Sequence, residues 1–353
     1  MFEEKIKLSE DTVNQIVNNN YDLGEILHIT PLESGHESDN IKFSTNKGDY
    51  VLKLYFYPRL DQIEKRMKVL ELLNEYGVKV PIPIKTNRNI FVAKFDENNL
   101  LVVITFISGE PIYRENKPLV FQWMNWFGKQ FGIFHYSSKQ ITSDKFNQIA
   151  KNESATSISK PPGEWLMERY NERDKLLPEH EHNEKILGYF EKFLRRIEET
   201  NFSKLTTGIV HGDMMPGNFL KEREELKGIL DFGGGYSYLM ADIGTWIFYT
   251  GFYKPELKDN YLDFILPYIE HSKIPIEELK ALILFLRSRA YVQYFYFAYR
   301  VTNNITQGYD DEEDPIKKNW NGFIETIPFI ELVNSIDDNY FYNLAINALK
   351  ERR

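Results

Sequence analysis

Cysteine is absent from this chain, which excludes a disulfide framework, a thiolate zinc site and a cysteine nucleophile, and nothing speaks for an oxidising compartment. Long apolar runs are missing as well. "ALILFL" (281–286) is broken off by Arg287 and Arg289, far short of the about 20 apolar residues that cross a bilayer. The N-terminal "MFEEKIKLSEDTVNQIV" places acids where a secretory signal begins basic, and no apolar segment follows, so the chain reads as cytoplasmic. Positive charge is in deficit: 43 Lys and Arg stand against 52 Asp and Glu, a formal net charge of -9. That balance gives a phosphate backbone little to bind and argues against nucleic acid as a partner. It tolerates a cationic small substrate. No internal repeat or low-complexity segment is visible.

What remains is a globular chain. Its 353 residues, 42% hydrophobic and 15% aromatic, can bury more than one domain-sized core, so two lobes are expected. Residues 7–19 carry a candidate Ser9 cap and helical spacing. From 24 to 57 the chain alternates as strands, with Asn46, Lys47 and Gly48 as a hairpin turn. Ile63, Met67, Leu70 and Leu73 mark one face of a helix over 61–76, which Gly77 ends. Two apolar runs, "NIFVAKF" and "LLVVITFI", follow on either side of the turn "DENN" (96–99). Strand, strand, helix, strand, strand makes a small lobe on an antiparallel sheet. Beyond "SGEP" (108–111), helical patterns cover 118–136, 163–177, 183–199, 257–270, 276–302 and 335–351, and only 205–232 turns strand-like again. The expected division is 1–107 and 108–353.

The chemistry concentrates in "HGDMMPGNFL" (211–220) and "GILDFGGGY" (228–236). Asp213 and Asn218 lie five positions apart, and Asp231 follows thirteen after Asn218. Two carboxylates and an amide oxygen suit a hard divalent cation, magnesium (Mg2+) above all. Phosphoryl transfer from a nucleotide needs a metal on the phosphates and a carboxylate to orient the accepting hydroxyl. In that scheme Asp213 is the base, Asn218 and Asp231 hold the metal, and Pro216 and Gly217 shape the loop between them. Lys53, inside the strand pattern "YVLKLYF", would bring positive charge to the phosphates, since a strand lysine among apolar neighbours calls for an anion. Glu64 on the next helix is its candidate partner, with Glu71 the other choice. Gly35, in "LESGHESDN", opens a small polar turn whose N–H groups could lie over phosphates.

Taken together, "HGDMMPGN" and "LDFG" resemble the aminoglycoside phosphotransferase and choline kinase-like family, relatives of the protein kinases. The resemblance implies an α+β, two-lobed protein kinase-like fold, with an antiparallel sheet plus helix in the first lobe and a mostly helical second lobe. It implies ATP, or GTP, as phosphate donor, with adenine on backbone groups near Thr105 to Ile107. His211 would then support the catalytic loop, and Asp242 would brace it from a following helix. Met214 and Met215 depart from the family, whose members often carry histidine there. The expected activity is transfer of a γ-phosphate to a hydroxyl of a small molecule, an aminoglycoside-like or other amino-alcohol acceptor. Two further roles are compatible with the family: a bacterial Ser/Thr protein kinase and a non-catalytic, coat-type scaffold.

Two other features admit double readings. Tyr291, Tyr294, Phe295 and Ala298 fall at helical spacing and read first as core packing, second as a cation-π wall. "DDEED" (310–314) reads first as a solvated loop, second as a collector of polyamines. His36 reads as a loop residue and His135 as a packing residue within a helix.

Overall fold

The computed structural model of the chain describes residues 8–32, 38–55, 60–96, 99–113, 116–149, 164–233, 235–251, 260–306 and 314–351. Gly35 and His36 lie outside them, as do the first four residues of "DDEED". The described residues form two compact units. One takes everything up to Glu110 together with 146–149 and Leu220–Leu230; the other takes the remainder.

The first unit is built on strands Ile26–Pro31, Ser38–Thr45, Gly48–Tyr55, Leu100–Thr105 and Pro83–Ile84, in that spatial order and antiparallel, with Ala93–Lys94 also pairing to Leu100–Thr105. The expected hairpin is present. Thr45 faces Gly48, and Thr45 Oγ1 accepts from the Lys47 N–H at 3.0 Å, so the side chain closes the turn. Helix Glu10–Asn20, capped by Ser9 Oγ on the Thr12 N–H, lays Val13, Ile16 and Val17 in one core with Phe43, Leu52, Leu54, Leu101 and Val103. Because strand side chains alternate between faces, Lys53 stands on the face opposite Leu52 and Leu54. Its cross-strand neighbours are Asn40 and Val102.

Helix Leu60–Glu75 buries Ile63, Met67, Leu70 and Leu73, the stripe expected from its spacing. The run 89–95 yields only a two-residue strand. Its continuation is diverted because Phe95 donates to the Asn99 carbonyl at 3.0 Å and Asp96 Oδ1 takes the Asn99 N–H at 2.7 Å.

The second unit is mostly helical. Helix Met124–Ser138 packs on helix Tyr261–Ser272 so closely that a Cβ at Gly128 would lie 2.2 Å from the Phe264 carbonyl oxygen. Gly128→Ala is therefore expected to destabilise the protein by about 1–3 kcal/mol through forced separation of two backbones. A thermal melt indistinguishable from wild type would contradict this packing.

Several expected helices are interrupted. The stretch 118–136 breaks at Trp123 into Lys117–Gln122 and Met124–Ser138, and 276–302 opens with a 3-10 turn, Ile276–Ala281, before helix Leu282–Thr302. The last helix starts at Tyr340 rather than 335, because helix Pro315–Ser335 precedes it. That long helix is hidden in the sequence because Pro315 and Pro328 look like breakers. Pro315 in fact occupies the first turn, where its missing N–H costs nothing, and Asp314 caps it by accepting from Ile316 and Lys317 at 3.1 Å each. The last acid of "DDEED" thus has a structural task. Tyr291, Tyr294, Phe295 and Ala298 are at most 1% exposed, so they are core and offer no wall to an ammonium group.

Candidate active site

The loop from Val210 to Asn218 is anchored at both ends inside the second unit. Before it, strand Thr207–Ile209 pairs with Tyr236–Tyr238, and the Val210 N–H donates to the Gly235 carbonyl at 2.9 Å. After it, Phe219 is fully buried, stacked on Phe131 at 4.9 Å and set edge-on to Phe127 at 5.6 Å. Burial of such a ring contributes about 2–3 kcal/mol. The aromatic contacts therefore fix where Asn218, the preceding residue, can sit. Met214 is buried without residual exposure and serves the core.

Inside the loop, Gly212 takes φ 86°, a left-handed conformation that suits glycine. The turn lets the N–H groups of His211 and Gly212 converge on one buried carboxylate: Asp242 Oδ2 accepts from His211 at 2.7 Å and Asp242 Oδ1 from Gly212 at 2.9 Å. His135 Nε2 lies 3.1 Å from the same Oδ2, and its Nδ1 is 2.9 Å from the Tyr268 hydroxyl. The tautomer with Nε2–H satisfies every member, with Tyr268 O–H donating to Nδ1. Burial raises the Tyr268 hydroxyl well above its usual pKa, which keeps it a donor. Asp242 sits in the first turn of helix Met240–Gly251 and braces the loop from there. His135 packs within its helix as its sequence pattern implies, and it also orients that brace.

His211 is buried under the Phe232 ring, 4.4 Å between centroids, and its Nδ1 accepts the Asp213 N–H at 3.2 Å. The imidazole therefore acts on loop shape. The Asp213 side chain is 42% exposed, so it is open to a reactant while its backbone is held. Asn218 is buried; its Nδ2 donates to the Asp213 carbonyl at 2.9 Å, which ties the two candidate residues across Pro216 and Gly217. Asp231 is exposed and holds φ 56°. A left-handed aspartate away from glycine carries strain of about 1 kcal/mol or more, and such strain clusters where a side chain must be aimed. The Gly233 N–H donates to the His211 carbonyl at 3.2 Å, so the segment after Asp231 is fastened to the same loop.

In the first unit, Lys53 and Glu64 are half-buried on their strand and helix, whereas Glu71 is engaged by Lys85 at 2.9 Å. Thr105 ends its strand with N–H and Oγ1 both bonded to Ile82, at 2.9 Å each, and Ile107 packs its side chain against Gly228 of the Glu225–Ile229 strand.

The family model described as the phosphotransferase enzyme family matches residues 28–267. The chain belongs to that family. It is 25% identical over 285 residues to a homoserine kinase of Bartonella tribocorum, covering 77% of this chain and 83% of the relative. Other curated homoserine kinases are spanned over 60% to 68% of their length. Among solved structures, an amicoumacin kinase in complex with AMP-PNP, Ca2+ and Ami superposes with a TM-score of 0.69 at 18% identity, covering 94% of this chain and 97% of that one. A microcompartment-associated aminopropanol kinase gives 0.61 at 14%, over 95% and 99%. The fold is thus the kinase-like α+β fold, with its antiparallel sheet in the N-terminal region. The phosphotransferase is a small-molecule kinase.

Asn218 and Asp231 offer the kind of oxygen donors that a hard divalent cation takes. Asn218 spends its Nδ2 within the loop, which leaves its amide oxygen as the acceptor, and Asp231 supplies a carboxylate. Among the described residues no group of three or more His, Asp or Glu could hold a metal by itself. A hard cation here would need phosphate and water oxygens to fill its shell, as magnesium in nucleotide sites does. Asp231→Ala is accordingly expected to raise the magnesium concentration for half-maximal activity by about tenfold or more; an unchanged magnesium titration would contradict it.

Sequence reasoning missed two residues that touch Asp213. The Tyr249 hydroxyl donates to Asp213 Oδ1 at 2.7 Å, and Arg289 Nη2 donates to that same hydroxyl while standing 4.0 Å from Asp213 Oδ1. The one signal available was Arg289 itself, a charge just beyond the apolar run "ALILFL".

Proposed function

We propose that this phosphotransferase moves the γ-phosphate of ATP to the hydroxyl of a small acceptor that also carries an amino group, an amino alcohol or hydroxy amino acid. The observation that carries the reading is the geometry of one loop: a half-exposed carboxylate, Asp213, is pinned beside an amide, Asn218, by a buried brace from Asp242. Asp213 orients the acceptor hydroxyl and takes its proton as the new P–O bond forms. Asn218 and Asp231 hold the magnesium, which when bound neutralises phosphate charge. His211 and Asp242 keep the loop in shape. From the first unit, Lys53 is assigned to the phosphates with Glu64 as its partner, and Thr105 and Ile107 to the nucleotide base. The homoserine kinase relatives and the aminopropanol kinase fold relative support an acceptor bearing both hydroxyl and amine.

The test is a panel of hydroxylated amines, amino acids, sugars and aminoglycosides offered with γ-labelled ATP. Label on an amine-bearing alcohol supports the proposal. Label only on protein serine or threonine would replace it with a protein kinase, and label on sugars without an amine would remove the amino group from the acceptor.

A further inference from the structure

Two arginines on helix Leu282–Thr302 are used in different ways. Arg287 spends Nε on the Val333 carbonyl, Nη2 on the Ile336 carbonyl and Nη1 on Asp338, at 3.0, 2.9 and 2.7 Å. Every nitrogen is satisfied, and the result is a clamp on the end of helix Pro315–Ser335. Arg289, two residues on, is 13% exposed and lies over the rings of Phe248 and Tyr249, 5.7 and 5.1 Å from their centroids. Its Nη2 donates to the Tyr249 hydroxyl, and its Nε is buried with no hydrogen-bond partner among the described residues. Holding a guanidinium at 13% exposure costs desolvation energy unless an anion offsets it, so its place there calls for a reason. The reason in view is Asp213, whose Oδ1 takes the Tyr249 hydroxyl at 2.7 Å and stands 4.0 Å from the guanidinium.

We propose that Tyr249 and Arg289 are positioning residues for the transfer step, holding one oxygen of Asp213 so that the other faces the acceptor hydroxyl. The inference rests on the reading of Asp213 as the group that receives the hydroxyl proton. Tyr249 occupies Oδ1 and stops the carboxylate from rotating. Arg289, bonded to the far side of the same hydroxyl, fixes its direction, since that oxygen accepts from the guanidinium and must therefore point its own hydrogen at Asp213. In the reaction the acceptor oxygen bonds to the γ-phosphorus, and the bond to the bridging oxygen breaks with its electron pair leaving on ADP. The hydroxyl proton passes to Asp213 Oδ2. Tyr249 and Arg289 keep their protons throughout, so their contribution is orientation, which a loose phosphoryl-transfer transition state rewards more than basicity.

The experiment compares full-length wild type with Tyr249→Phe, Arg289→Met, Arg289→Lys and Asp213→Asn. The readouts are phosphate release from γ-labelled ATP to water, transfer to L-homoserine, and the melting temperature. Tyr249→Phe and Arg289→Met are expected to lower kcat at least about tenfold with KM for ATP within about twofold and melting unchanged. Arg289→Lys should recover part of the loss seen with methionine. If Asp213→Asn is inactive while Tyr249→Phe and Arg289→Met keep wild-type kcat, the inference is overturned and the reading of Asp213 stands. It is overturned equally if kcat falls only together with KM and melting temperature, the mark of a structural role. If Asp213→Asn keeps wild-type rates, the reading beneath both is lost.

Discussion

Asp213→Asn should cost on the order of a thousandfold in turnover, the scale of a lost general base, and leave binding of a nucleotide analogue within about twofold. The expectation follows from how the side chain is held. Its backbone N–H is committed to His211 and its carbonyl to Asn218, so the loop keeps its shape when the carboxylate is replaced by an amide of the same size. Oδ1 takes the Tyr249 hydroxyl, and an asparagine oxygen can take it equally well. What the variant lacks is the second carboxylate oxygen, the one able to receive a proton. The loss should therefore appear in kcat. A variant that binds nucleotide poorly but turns over normally once saturated would assign Asp213 to binding.

Asp242→Asn should have the largest effect on stability. The carboxylate has no exposed surface, and its two oxygens accept two backbone N–H groups and the His135 ring. An amide can match only one oxygen. Its NH2 would face a backbone donor, leaving at least one buried N–H unmet. Breaking a buried charge-assisted arrangement costs about 3–5 kcal/mol, which for a unit of this size corresponds to roughly 6–20 °C in melting temperature. Activity should fall as well, since Gly212 and His211 set the position of Asp213. The measurement is calorimetric melting of the variant beside wild type; a shift within about 1 °C would show the brace to be dispensable.

The parts of this site that could be read from sequence are those that sit on one short loop. Asp213 and Asn218 share that loop, joined by the Asn218 Nδ2 bond to the Asp213 carbonyl, whereas the company of Asp231 is proposed from spacing. Tyr249 and Arg289 arrive from two other helices, and only tertiary packing brings their hydroxyl and guanidinium to Asp213. The same limit hid the role of His135, whose pattern is that of any buried helical residue; its partners are 107 and 133 positions away. Local signals served the fold better. The Ile63, Met67, Leu70, Leu73 stripe and the Asn46–Lys47 turn form as their spacing requires, because each depends on neighbours in sequence. Helix Pro315–Ser335 shows the opposite case: a proline at its first turn is permissive, and Asp314 supplies the cap that makes it a start.

The division of labour among Asp213, Asn218 and Asp231 is the centre of this account, and one titration addresses it. Manganese can stand in for magnesium and be followed by electron paramagnetic resonance as Mn2+ and ATP bind to wild type, Asp213→Asn, Asn218→Ala and Asp231→Ala. Metal-nucleotide affinity should be kept in Asp213→Asn and fall by about tenfold or more in the other two. Wild-type affinity in Asp231→Ala, or an equal loss in Asp213→Asn, would contradict it.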